Sequence, residues 1–223
     1  MNLAALYDPV SAAIVIGGTA LATLLCCGTT NCALAGRALM SQGGKRFDAQ
    51  AAKAELAAQV NEIRQDGLMR AHPHRFGDRE FDEATDALIG RRSVAALLAA
   101  HERHKAQRTR ASSRASGTLA QAAELAPVFG LAGTLISLSQ MPIEGLARGA
   151  YAGAIGMAVL TTLYGLLLAN LVLAPLARAI DRIAHAEEQD RQEIVDWLAA
   201  QVADEIPGRR AAQQHGPALG AAA

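Results

Sequence analysis

Three long stretches of this chain carry no Asp, Glu, Lys, Arg or His: Pro9–Gly36, Leu125–Ile143 and Gly149–Ala177, of 28, 19 and 29 residues. A buried soluble helix rarely stays uncharged for so long, whereas about 20 apolar residues cross the hydrocarbon of a bilayer. The 51% hydrophobic content is therefore concentrated in three windows. They predict an all-α membrane protein with three transmembrane helices and a helical cytoplasmic loop and tail. The first window lacks a basic n-region and reads as a retained, signal-anchor-like helix.

Zero net charge conceals an asymmetry. Of the 21 Lys and Arg, 15 lie between the first and second windows, only Arg148 between the second and third, and 5 after the third. Positive residues stay cytoplasmic, so the amino terminus faces out and the loop and tail face in. The expected layout is an outer segment 1–8, spans 9–30, 123–141 and 150–177, a cytoplasmic loop 31–122, an outer turn 142–149, and a tail 178–223. Cys26, Cys27 and Cys32 sit at the reducing inner end of the first span, as small apolar residues rather than a disulfide or zinc set.

The loop reads as helices: an Ala-rich one ending at Gly67, a break at Pro73 and Gly77, a short helix around "FDEATDALIG", and a long one from Ser93 towards the second span. A charged amphipathic helix follows the third span and stops at Pro207 and Gly208, before a disordered end. His101 and His104 share a helix face and His72 and His74 flank Pro73, without further ligands placed nearby. They read as surface histidines, and no metal or cofactor is expected. No catalytic signature appears, so the chain is not read as an enzyme. Loop bases outnumber acids only 15 to 10, which argues against nucleic-acid binding.

On a helical wheel Pro127, Gly130, Thr134, Ser137 and Met141 form one stripe of small and hydroxylated groups. Ala154, Ala158, Thr161, Gly165, Leu168 and Pro175 share a face of the third span, with Thr162 beside it. Small residues let membrane helices approach closely, and hydroxyls can bond back to their own helix. The same hydroxyls can also replace part of an ion's hydration shell. A proton path needs a titratable group near the membrane centre, and Glu124 and Glu144 are peripheral. A second chain must bring the carboxylate.

The pair "AELAPVFGLAGTLISL" and "GAIGMAVLTTLYGLLLANLVLAPLA" resembles the MotA/TolQ/ExbB proton-channel family, most closely its MotA/PomA flagellar stator branch. "YDPVSAAIVIGGTALATLL", "IRQDGLM" and the tail through "EIPGR" are similar to that branch as well. The resemblance implies a pentameric ring around a single-span, MotB-like or ExbD/TolR-like partner carrying the ion-binding aspartate, in the bacterial inner membrane. It implies that Thr134 and Thr162 line the ion path, with Thr161 and Ser137 beside them. It also makes Pro127 and Pro175 the coupling prolines, and Gly130, Gly165 and Ala158 packing positions. Arg64 matches a rotor-contacting arginine, but His72 stands where a glutamate is expected. Met157 replaces the TolQ/ExbB glutamate, and the branch's outermost helix has no counterpart. A TolQ/ExbB-like energiser and a non-conducting scaffold remain alternatives.

Overall fold

The computed structural model describes residues 8–41, 47–66, 78–140 and 148–203. Gly67, His72, Pro73, His74, Gly77, Met141, Glu144, Pro207 and Gly208 lie outside them. So do residues 1–7 and most of the outer turn. Every described element is helical: α1 (Pro9–Ser41), α2 (Ala49–Asp66), α3 (Arg79–Arg91), α4 (Val94–Ser139), α5 (Arg148–Leu167), a π-helical turn Leu168–Leu173, and α6 (Ala174–Ala203). Three stretches are long and apolar enough to cross a membrane: Pro9–Ser41, Val94–Ser139 and Ala152–Ala203. The chain divides into two compact units, Met1–Lys45 with Arg110–Ile183, and Arg46–Thr109 with Ala184–Ala223. By their bounds, α4 and α6 contribute to both.

The first unit is built the way lipid demands. On α1 the buried positions are Ser11, Val15, Thr19, Thr23 and Ala35, while Val10, Ile16, Leu21, Leu24 and Leu25 are exposed. Apolar solvent gives no reason to hide leucine, and small side chains inside permit close helix approach. Gly28 breaks α1 at φ 79°, ψ 159°, a left-handed backbone that favours glycine. Pro9 to Gly28 is about 30 Å of helix, one bilayer core. The Asn31 amide donates to the Cys27 carbonyl (2.9 Å) beside the break. Beyond it along α1, Ala35 packs with Ala115, Leu119, Ala177 and Ile180.

The second unit follows the opposite rule. Leu56 and Val60 of α2, Phe81, Ala84 and Leu88 of α3, Leu97 and Ala100 of α4, and Ile194, Val195, Leu198 and Val202 of α6 form one apolar core. Asp78 caps α3 by accepting from the Glu80 backbone N–H (2.9 Å). Arg92, left-handed at φ 51°, ends that helix, and the Ser93 carbonyl then accepts the N–H groups of Ala96 and Leu97 that open α4.

Above this core lies an ionic network drawn from three helices and the residue before α3. Arg191, 8% exposed, reaches Asp78 (2.9 Å), Glu187 (3.0 Å) and Glu80 (3.4 Å). Its guanidinium covers the Phe47 and Phe81 rings, 4.1 and 5.5 Å from their centroids. Arg108 pairs with Glu80 and takes Glu188 in a fork. His101, expected at the surface, is buried, its Nε2 3.3 Å from Gln192 Oε1 and 3.5 Å from Glu188 Oε1. A wheel cannot foresee that the tail helix covers this face.

Glu83 carries the pH-sensitive contact of this unit. The Arg79 hydrogen bond holds its carboxyl below the ordinary 4.5, against a smaller upward push from desolvation, with His104 (2.9 Å) adding to the depression. A depressed folded-state value contributes stability above the unfolded value and loses it as pH falls through the folded one. Wild type should therefore lose stability relative to Glu83→Gln as pH drops below 4.5. The group is exposed, so the difference is small. Acid unfolding followed by circular dichroism checks it; parallel curves for the two proteins would contradict the assignment.

Candidate functional site: the α4/α5 crossing

The second and third spans meet backbone to backbone. A Cβ added at Gly165 would lie 2.7 Å from the Ala126 carbonyl oxygen and 3.1 Å from Gly130 Cα; one at Gly130 would lie 2.9 Å from the Thr161 carbonyl oxygen. A Cβ at Gly133 would lie 2.8 Å from Thr161 Cβ. Ala126, Gly130 and Gly133 of α4 thus face Thr161 and Gly165 of α5, and all five are buried, as are Ser137 and Ala169 a turn further along. This is small-residue packing at about four-residue spacing. Gly18 of α1 closes the bundle, since any Cβ there would fall on the Phe129 ring.

The hydroxyls divide into two sets. Thr161 is 0% exposed and donates to the Ala158 carbonyl (2.9 Å); buried Ser137 donates to Gly133 (2.9 Å). Both were expected to line a route, but the structure places them inside the subunit's own packing seam. Thr134 and Thr162 are only partly buried, and donate to Leu131 (2.6 Å) and Ala158 (3.3 Å). With its proton spent on the helix, a hydroxyl offers lone pairs to whatever faces it. Ala158, expected as a packing residue, is the shared acceptor beneath Thr161 and Thr162.

Pro127 sits within α4 and Pro175 at the start of α6, just past the π turn. Proline removes an N–H and crowds the carbonyl a turn back. The wider π register, in which the Ala174 N–H bonds the Ala169 carbonyl, directly precedes Pro175. At the start of α1, the Asp8 N–H donates to the Tyr164 hydroxyl (3.1 Å), and the Ser11 hydroxyl bonds the Asp8 carboxylate. The Ser11 bond holds that carboxyl below its ordinary range. Arg64, on α2, is exposed and bonds Gln201 of α6. Among the described residues no cluster of His, Cys, Asp or Glu is arranged for a metal.

Sequence reasoning missed Gly133 and Ala126, although the spacing Ala126, Gly130 and Thr161, Gly165, Ala169 was there to read. It also missed the π turn, which no local signal other than Pro175 announces.

Glycine contacts thus close a bundle of three charge-free spans on which two threonine hydroxyls stay partly open. The model of the MotA/TolQ/ExbB proton channel family matches residues 70–193, more than half of the chain. The chain belongs to that family. It is 26% identical over 199 residues to chemotaxis protein PomA of Vibrio alginolyticus, covering 86% of this chain and 77% of that protein. It is also 26% identical over 161 residues to motility protein A of Cereibacter sphaeroides, across 69% of this chain and 60% of the relative. The fold matches the flagellar MotAB stator complex from Bacillus subtilis with a TM-score of 0.79 at 16% identity, covering 97% of this chain and 91% of that one.

Proposed function

We propose that this chain is the MotA-like subunit of a flagellar stator in the bacterial inner membrane. A homopentamer of it surrounds a MotB-like single-span partner whose aspartate accepts the proton. The amino terminus is periplasmic and the tail cytoplasmic, in keeping with the basic residues of loop and tail. The carrying observation is the pair Thr134 and Thr162, partly uncovered beside the Gly130–Gly165 crossing on spans with no acid of their own. Similarity to PomA and to motility protein A supports the motor output over envelope energisation.

In this reading Thr134 and Thr162 face the partner carboxylate, and Thr161 and Ser137 hold the helices that present them. Each charge crossing about 100 mV releases about 2.3 kcal/mol, enough for a small rigid-body step. Pro127 and Pro175 lie where the helix ladder is weakest and serve as the bending points. Arg64, with His72 beyond the described residues, is the proposed rotor contact.

Thr162→Leu removes the lone pairs and fills the space, so an assembled variant complex should lose about tenfold or more in proton flux, the factor that about 1.4 kcal/mol of barrier represents. Flux into vesicles holding purified complex measures this. Undiminished flux through correctly assembled Thr162→Leu would remove the pore assignment. Purification from native membranes should also recover a single-span protein with an intramembrane aspartate, and repeated recovery of this subunit alone would leave the pore without its acid.

A further inference from the structure

Inward of the glycine crossing, one side of the first unit opens into a groove of about 540 Å³. Its walls are the inner part of α4, from Pro127 back to Ser113, and the segment from Ala169 to Asp181. The fourteen helical steps from Ser113 to Pro127 make this about 21 Å long. The floor is alanine and glycine. The polar groups are Ser113, Ser116, Glu124, Asn170, Arg178 and Asp181.

Two independent features make this more than a surface dent. First, the groove holds a polar side chain where the chain should be lipid-compatible: Asn170 lies inside the third charge-free window, is exposed, and lines the groove. An amide left facing hydrocarbon is costly; one facing a wet cleft is not. Its NH2 group donates to the Leu166 carbonyl (3.0 Å), leaving its oxygen to accept. Second, Asn170 sits in the π turn, and Pro175 brings no N–H, so one carbonyl of the Asn170–Leu171 turn lacks its helical donor. Such a carbonyl within a span is tolerated where it borders water.

We infer that this groove is a water-filled exit vestibule, with Glu124 the carboxylate that takes the proton after it leaves the threonine pair. Resting on the channel reading above, this deepens it by naming the inner half of the path. The proton passes from water at Asn170 to the Glu124 carboxylate, and from the resulting acid to water at the Arg178–Asp181 end, with no net change in the protein. Gln121, whose amide donates to Glu124 (3.4 Å), positions the acceptor.

The test uses the whole complex in inside-out membrane vesicles, with Cys26, Cys27 and Cys32 replaced by alanine. Asn170→Cys and Ala174→Cys should react with a charged, membrane-impermeant thiol reagent added from the cytoplasmic face. Leu171→Cys, whose native side chain is 68% exposed and outside the groove, should not. Glu124→Gln should lower proton flux about tenfold while leaving Asn170→Cys labelling intact. Failure of Asn170→Cys and Ala174→Cys to label, or labelling of Leu171→Cys at the same rate, overturns the vestibule. Unchanged flux through Glu124→Gln overturns its role as acceptor. If the unmodified complex conducts nothing, the channel reading fails instead, and the labelling pattern still decides whether the groove holds water.

Discussion

Gly165→Val is expected to abolish assembly of the membrane bundle. The added Cβ meets the Ala126 carbonyl at 2.7 Å and the Cα atoms of Gly130 and Pro127 at 3.1 and 3.2 Å. These are backbone atoms of an antiparallel neighbour, so no rotamer change relieves the clash. The two helices must separate, which also uncovers Thr161 and Ser137. Overpacking in a rigid interior costs about 1–3 kcal/mol even where side chains can adjust, and here they cannot. Gly153→Ala is the matched control, because nothing lies within 4 Å of its added Cβ in the subunit. Native gel electrophoresis of the complex in mild detergent reads the result. Gly165→Val should leave little complex, and normal amounts of it would show that the crossing is not the close contact described.

Arg191→Ala is expected to unfold the second unit in preference to the first. Arg191 is 8% exposed and serves Asp78, Glu80 and Glu187 while covering Phe47 and Phe81. Removing it takes the arginine partner from Asp78 and Glu187, while Glu80 keeps Arg108. Breaking a fully buried group from one side costs about 3–5 kcal/mol, which bounds the loss from above because these carboxylates are partly exposed. Lysine keeps the charge but not the fork or the flat stacking surface, so Arg191→Lys should recover only part of the loss. Hydrogen exchange on the full chain locates the effect. Protection should fall in α2, α3 and residues 184–203 and persist at the α4/α5 crossing. Uniform loss across both units, or none, would contradict a network local to this unit.

The dependence on Asp78 and Glu80 explains why the network could not be read from the sequence. Its members come from the start of α3, from α4 and from the tail, the first and last more than 100 residues apart, and no period links them. Arg191 and His101 look like surface residues on their own helices and become buried only when these helices pack. The glycines are a different case. Gly130 and Gly165 were legible because a glycine in a membrane helix has few uses other than close approach.

Span number and helical character followed from the sequence alone, because lipid leaves a long uncharged segment few options, and that requirement needs no partner to act. The same holds for the weighting of positive charge towards loop and tail. The wheel fixed the angles between Thr134, Ser137, Thr161 and Thr162 but not which angle meets the neighbouring helix. Only tertiary packing turned Thr161 and Ser137 into the seam and left Thr134 and Thr162 partly open, because where the glycines let two backbones touch decides which hydroxyls lie between them. The π turn before Pro175 and the groove beside it are likewise tertiary facts, since both depend on how one helix leaves another after they cross.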